Sequence, residues 1–442
     1  MAARLSRLLG MGNMSREKNS ICGNTVMIKL PESSLENIKN DLENIDRFNA
    51  TPGFGTTRIL FTEEEVGARE YVKGRMKDVG LEVREDGAGN IFGRLPGKNP
   101  NLAPVWTGSH IDTVNNAGMF DGMAGVVAGI EALRVISESG REFERDLEVI
   151  VFTSEEPTRF GVWGIGSHAM AGLLKEDELE TIKDDSGRDL KSILDELGFG
   201  IHDFKEIERK SGDVHAFIEL HIEQAPILDR PKVPIGVVET ICGLTSLEVT
   251  IKGVQGHAGG TLKFERHDPV MAFSEICSFF EQEVYGNEEP YLVGTIGKVS
   301  VNPNASNVIP KEVVFSVDLR DRHMHTKEQV LDSLKKFIAG VEKKRGVEVD
   351  VVVKTHEEPV HSSAEIIEGI KQAADAYDYP YLPLVSGAFH DTVMVATFSP
   401  TGMIFVPCRE CISHSPEEWA DFEDVRKGTD VLALALFDLA SS

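Results

Sequence analysis

Three apolar runs in this chain end in the same way. "PVWTGSHIDT" (104–113), "LEVIVFTSEEP" (147–157) and "FIELHIEQ" (217–224) each begin as a strand-like hydrophobic segment and break into histidines and acids. A strand that apolar is buried on both faces, as in a parallel sheet covered by helices. Helical segments fall between the runs. "GVVAGIEALRVISES" sets Val126, Ile130, Leu133 and Ile136 along one stripe. "TEEE" at 62–65 has the form of a capping box ahead of Val66, Tyr71, Val72 and Met76. Strands alternating with helices predict an α/β fold built on a mostly parallel sheet.

The pattern changes near residue 238. "LTSLEVTIKGVQG", "YLVGTIGKVSV" and "EVVFSVDLRD" read as strands, and two amphipathic helices lie among them, which predicts a smaller α+β domain over 239–356. The first style returns with a helix from 363, the strand "TGMIFVP" and a closing helix from about 422. One larger domain, 31–238 plus 357–442, is therefore interrupted by an insertion. Residues 1–30 begin basic and are set apart as an N-terminal extension, disordered or targeting.

Composition excludes several classes. A formal net charge of −26 repels phosphate backbones, so no nucleic-acid partner is expected. The lack of a long apolar run leaves no membrane span, and a cytoplasmic location is expected, with organelle targeting left open by the basic start. Five cysteines do not form a disulfide framework. Cys408 and Cys411 make a C-x-x-C pair in "VPCRECISHSPEEW", but no second pair completes a zinc ribbon, and a strand ending in proline precedes them where a redox dithiol needs a helix start. Two reduced thiols are expected there.

In parallel α/β sheets, ligands bind beyond the carboxyl ends of the strands. The polar residues there are His110, Asp112 and Asp121, then Glu155 and Glu156, then Glu219, His221 and Glu223, with His414 added from the last strand. Chance supplies Glu-Glu pairs in a chain with 72 acids, and a lone histidine is more often structural. Adjacent carboxylates at the mouth of a buried strand, however, need a compensating cation. Nitrogen and oxygen donors suit zinc, manganese or cobalt. His110, Asp121, Glu156, His221 and His414 over-fill a single site, so two ions are expected: Asp121 bridges, one ion takes His110 and His221, and the other takes Glu156 and His414. Asp112, two residues from His110, would fix that imidazole's tautomer.

With those residues placed, the chain resembles the M20 group of dinuclear metallohydrolases, in the branch of ureidoglycolate and allantoate amidohydrolases and N-carbamoyl-L-amino acid hydrolases. "GSHIDT", "FDG", "TSEEPTRFG", "ELHIEQ", "GHAGG", "NASNVIP", "DLRD", "FHDT" and "SHSPEE" occur in the family's order. The resemblance implies two divalent metal ions per subunit (Mn2+ or Zn2+, with Co2+ or Ni2+ as substitutes) and Glu155 as catalytic base. It implies that the inserted domain is a lid and dimerisation unit, through which His257 reaches the partner subunit's site. Asn307 and Arg320 would bind a substrate carboxylate, with Gln224 and His390 lining the pocket. A planar guanidinium suits such bidentate capture, while a salt bridge to Asp318 or Asp321 is the competing reading of Arg320.

The implied reaction is hydrolysis of the ureido C–N bond of a small ureido acid, ureidoglycolate or allantoate in purine catabolism, releasing ammonia and CO2. The alternative is an N-carbamoyl-L-amino acid hydrolase. Ala225 after "HIEQ", "HAGGTLK" and "GAFHDT" depart from the branch's usual pattern. The last puts Phe389 where a glycine is common, which favours a small substrate.

Overall fold

A computed structural model describes residues 29–199 and 204–442. The expected extension, apart from its last two residues, lies outside the described residues. The chain divides into a larger unit, which resumes after an insertion and comprises 29–240 and 361–442, and a smaller unit, Ile241–Val360.

The larger unit is built on a nine-stranded sheet. Its four central strands run parallel, in the order Leu147–Phe152, Val105–His110, Ala216–Ile222, Thr401–Val406. Antiparallel strands flank them: the hairpin Glu82–Glu85 and Ile91–Leu95 on one side, and Ile235–Ile241 on the other. The fold is mixed α/β with a parallel centre. All four central strands are buried at every residue.

Alternation along a strand sends neighbouring side chains to opposite faces. Val149 and Val151 join the core beneath helices Met123–Glu138 and Phe422–Ser441, while Ile150 and Phe152 join a second core with Ile165, Met170, Leu190 and Leu194. Two hydrophobic layers thus clamp one sheet, which is why its strands read as continuous apolar runs. Ligand-bearing residues can leave the sheet only at the strand ends.

The capping box expected at Thr62 is absent. The Thr62 hydroxyl donates to the Ile59 carbonyl, and Glu65 turns inward to accept from the Phe61 N–H and to pair with buried Arg69.

The smaller unit carries a five-stranded sheet in which Glu312–Asp321 and Glu348–His356 both pair antiparallel to Gly243–Lys252. Burial alternates along Gly243–Lys252 and Glu312–Asp321. Helices Pro269–Tyr285 and Met324–Arg345 cover the buried face through Ile276, Phe280, Leu334 and Ile338. Among the described residues, no helix is long and apolar enough to cross a membrane.

Candidate metal centre

His110 closes one parallel strand and His221 lies near the end of the next. The register pairs Val105 with Ala216 and Thr107 with Ile218, and continued along the strands it brings His110 level with His221. Strand spacing of about 4.8 Å then sets the two imidazoles side by side, and their ring centroids are 6.0 Å apart. The Nδ1 atoms lie 3.0 Å from the carbonyl oxygens of Asp112 and Ile222 respectively. A carbonyl only accepts, so Nδ1 carries the hydrogen in each ring and Nε2 faces inward.

Asp121 sits where those Nε2 atoms converge. Its Oδ1 is 3.2 Å from His221 Nε2 and 3.7 Å from His110 Nε2. Its Oδ2 is 3.2 Å from His414 Nε2, which is also 3.3 Å from Glu156 Oε1. One carboxylate therefore faces two donor pairs, one on each oxygen. The trios His110–Asp121–His221 and Asp121–Glu156–His414 each offer donor atoms within 4.8 Å of one another.

Glycine permits this closeness. Gly122 has φ +72°, and a Cβ there would meet the His110 ring at 2.5 Å. Ser154, Gln224 and His414 also adopt left-handed backbone, at φ 56°, 54° and 54°. Such conformations cost on the order of 1–3 kcal/mol each in a non-glycine residue and gather at functional sites. The turn at Ser154 parts two consecutive acids: Glu156 meets His414, while Glu155 Oε2 lies 3.7 Å from His110 Nε2.

Asp112 acts differently from the expectation. Its carbonyl, not its carboxylate, lies against His110 Nδ1; the carboxylate is 3.8 Å away and instead accepts from the backbone N–H groups of Glu155 and Glu156, at 3.3 and 3.1 Å. It fixes the segment carrying both acids.

Electrostatics call for a cation. Asp112, Asp121, Glu155 and Glu156 are all buried, and the ion-pair partners of Asp121 and Glu156 are histidines. Without metal, protons take the cation's place. Burial lowers the His221 pKa, but hydrogen bonding to Asp121 and the charge of that carboxylate outweigh it and lift it to about 9. Hydrogen bonds to Asp121 and Glu156 raise His414 to about 10. Glu155 stands well above the usual carboxylate range, through burial and then the charges of Glu156, Asp391, Asp121 and Asp112. The donor set fits divalent metal.

Around the centre, Gln224 Nε2 donates to Asp121 Oδ2 at 2.8 Å, while its Oε1 is buried without a hydrogen-bond partner among the described residues. His390 packs edge-on to His221, with centroids 4.6 Å apart, and its Nε2 meets the Ser386 hydroxyl at 2.9 Å. Phe389 lies between His168 and Trp163, at 6.4 and 6.0 Å. Glu219 is spent on Ser109 and Thr392, and Glu223 on the backbone N–H groups of Ile227 and Leu228. Cys408 is buried and donates to the Ile412 carbonyl, burial pushing its thiol up to about 12, while Cys411 is exposed; both are free thiols.

Three expected site residues belong to the smaller unit. His257 and Val308 are paired across a short ladder, and the Ala258 N–H donates to the Asn307 carbonyl, so the His257 and Asn307 segments lie side by side. His257 Nδ1 accepts from the N–H groups of Gly259 and Gly260, which leaves the hydrogen on Nε2. Arg320 holds Asp318 in a two-point pair, Nε–Oδ1 2.9 Å and Nη2–Oδ2 3.0 Å.

Histidines and carboxylates gathered beyond a parallel sheet, around one shared carboxylate, form a group that can hold divalent metal, as in a metallohydrolase. Residues 106–438 match the model of Peptidase family M20/M25/M40, and the chain belongs to that family. It is a hydrolase of C–N bonds. The chain is 37% identical to the N-carbamoyl-L-amino-acid amidohydrolase of Paenarthrobacter aurescens, covering 91% of this chain and 97% of that protein. It is also 37% identical to the ureidoglycolate hydrolase of Oryza sativa subsp. japonica, covering 92% and 84%. Its fold matches a crystal structure of AtUAH in complex with glyoxylate with a TM-score of 0.82 and 36% identity, covering 94% and 99%.

Proposed function

We propose that this protein hydrolyses the ureido C–N bond of a small ureido acid, ureidoglycolate or allantoate, using two divalent metal ions (Mn2+ or Zn2+) shared across Asp121. The observation that carries the reading is Asp121 itself, one oxygen toward His110 and His221 and the other toward Glu156 and His414, with Glu155 alongside. Metal held there supplies Lewis acidity, acidifying water and polarising a carbonyl.

Glu155 takes the proton of the attacking water as the new C–O bond forms, then gives a proton to the leaving nitrogen as the C–N bond breaks. Ammonia leaves, and the carbamate left behind takes up a proton and decomposes to CO2 and the amine of the remaining acid. The unpartnered Gln224 Oε1 is an acceptor for a ureido N–H. His257, with hydrogen on Nε2, is a donor for the developing oxyanion. Following the family resemblance, it acts in the partner subunit's site of a homodimer. The exposed apolar residues Val254, Leu262 and Phe264 near it are surface that an interface covers. Asn307 and Arg320 hold the substrate carboxylate, Arg320 sharing its guanidinium with Asp318. The free thiols among the described residues suit a reducing compartment such as the cytoplasm.

Phe389, packed against His168 and Trp163, favours a short acid. Equal identity to an N-carbamoyl-L-amino-acid amidohydrolase keeps that second reading alive. A panel of ureidoglycolate, allantoate and N-carbamoyl-methionine, assayed for ammonia on metal-reconstituted protein, separates them. Ureidoglycolate or allantoate should rank first; N-carbamoyl-methionine ranking first would make the protein a carbamoylase of amino acids.

A further inference from the structure

We propose that Glu418 is a positioning residue for the metal centre, a buried clamp that fixes the Asp121 loop and ties it to the loop carrying His414. The inference rests on reading Asp121 and His414 as metal ligands. Glu418 Oε1 accepts from the backbone N–H groups of Phe120 and Asp121, both at 3.1 Å. Its Oε2 accepts from the Ser413 hydroxyl at 3.0 Å, and that hydroxyl is also 3.0 Å from Asp121 Oδ2. One carboxylate thus reaches the backbone of the bridging ligand and the residue beside His414.

Two further features are shaped around it. Gly118, three residues before Asp121, leaves the space that the Glu418 side chain fills; a Cβ on Gly118 would overlap it. The aromatic neighbours pack as a second contact: Phe120, beside Asp121, meets Trp419, beside Glu418, edge-on at 5.3 Å between ring centroids. A carboxylate that merely closed its own loop would need neither the Asp121 amide nor the gap at Gly118.

The groups that orient metal ligands typically contribute about 10–100-fold to metal affinity. The test is calorimetric titration of Mn2+ into metal-stripped protein, folded state checked by circular dichroism. Glu418→Ala should weaken Mn2+ binding about 10–100-fold, and activity should recover at excess Mn2+ with KM unchanged. Glu418→Gln keeps a carbonyl acceptor for the two amides and should retain most of the affinity. Parental affinity in folded Glu418→Ala overturns the clamp. If that variant does not fold, Gly118→Ala decides, since it displaces the side chain without removing it: weakened binding supports the clamp and parental binding overturns it. A parental protein that binds no Mn2+ overturns the metal reading instead.

Discussion

The two faces of Asp121 are built from different material. Facing Oδ1, His110 and His221 stand at the ends of adjacent parallel strands, nearly wholly buried, each ring pinned through Nδ1 to a carbonyl. Facing Oδ2, Glu156 follows a left-handed serine, and His414 lies on a loop where Glu410, Cys411 and His414 are all left-handed. The His414 side chain is 46% exposed against 2% for His110. Strand spacing sets the first pair, while loop conformation and the Glu418 clamp set the second. The contrast predicts one tight, preformed metal position and one labile position.

The largest effect should come from a residue on the buried face that is not a ligand. Glu155→Gln should cut turnover by about 10²–10⁴-fold while both faces keep their metal, measured by elemental analysis. Next is His221→Ala, which strips a buried partner from Asp121 at 3.2 Å. Removing one member of a buried pair costs about 3–5 kcal/mol, read as a lowered denaturant midpoint. His414→Ala should leave that midpoint near the parental value and halve the metal content. If the two histidine variants lose stability equally, the contrast between the faces fails.

Chelation sharpens the same point. Dilute chelator should remove metal in two phases, the fast phase from the His414 face, and His414→Ala should abolish that phase alone. A single phase in the parental protein would mean that both positions are held alike.

The smallest effect concerns pH in metal-free protein. The Glu155 carboxyl is held well above its ordinary range by burial and then by neighbouring carboxylates. The folded state therefore keeps a proton that the unfolded chain releases, so the group's contribution is complete at low pH and is lost as pH rises toward the folded value. The melting temperature without metal should fall as pH rises above the ordinary carboxylate range, and Glu155→Gln should flatten that fall.

The strand ends were legible because two covering layers force the parallel strands to be apolar throughout, so that the first histidine or acid marks the exit. Ile235–Ile241 is nearly as buried as the central strands, so its antiparallel direction left no mark in the sequence. Donors supplied by the backbone leave no trace in side-chain identity. The Asp112 carboxylate therefore looked like a partner for His110, although it holds the peptide groups of Glu155 and Glu156. Glu418 was hidden in "SPEE", which looks like a solvated acidic turn; its inward bonds to the Phe120 and Asp121 amides and the gap at Gly118 come only from the folded chain. Arg320 could be read two ways, and the guanidinium is engaged by Asp318.

The order of ligands along the polypeptide has a consequence for biogenesis. His110, Asp121 and His221 are all made before the ribosome begins the smaller unit, and His414 only after it. A chain that ended ahead of residue 414 would lack the imidazole that faces Asp121 Oδ2, while keeping those that face Oδ1.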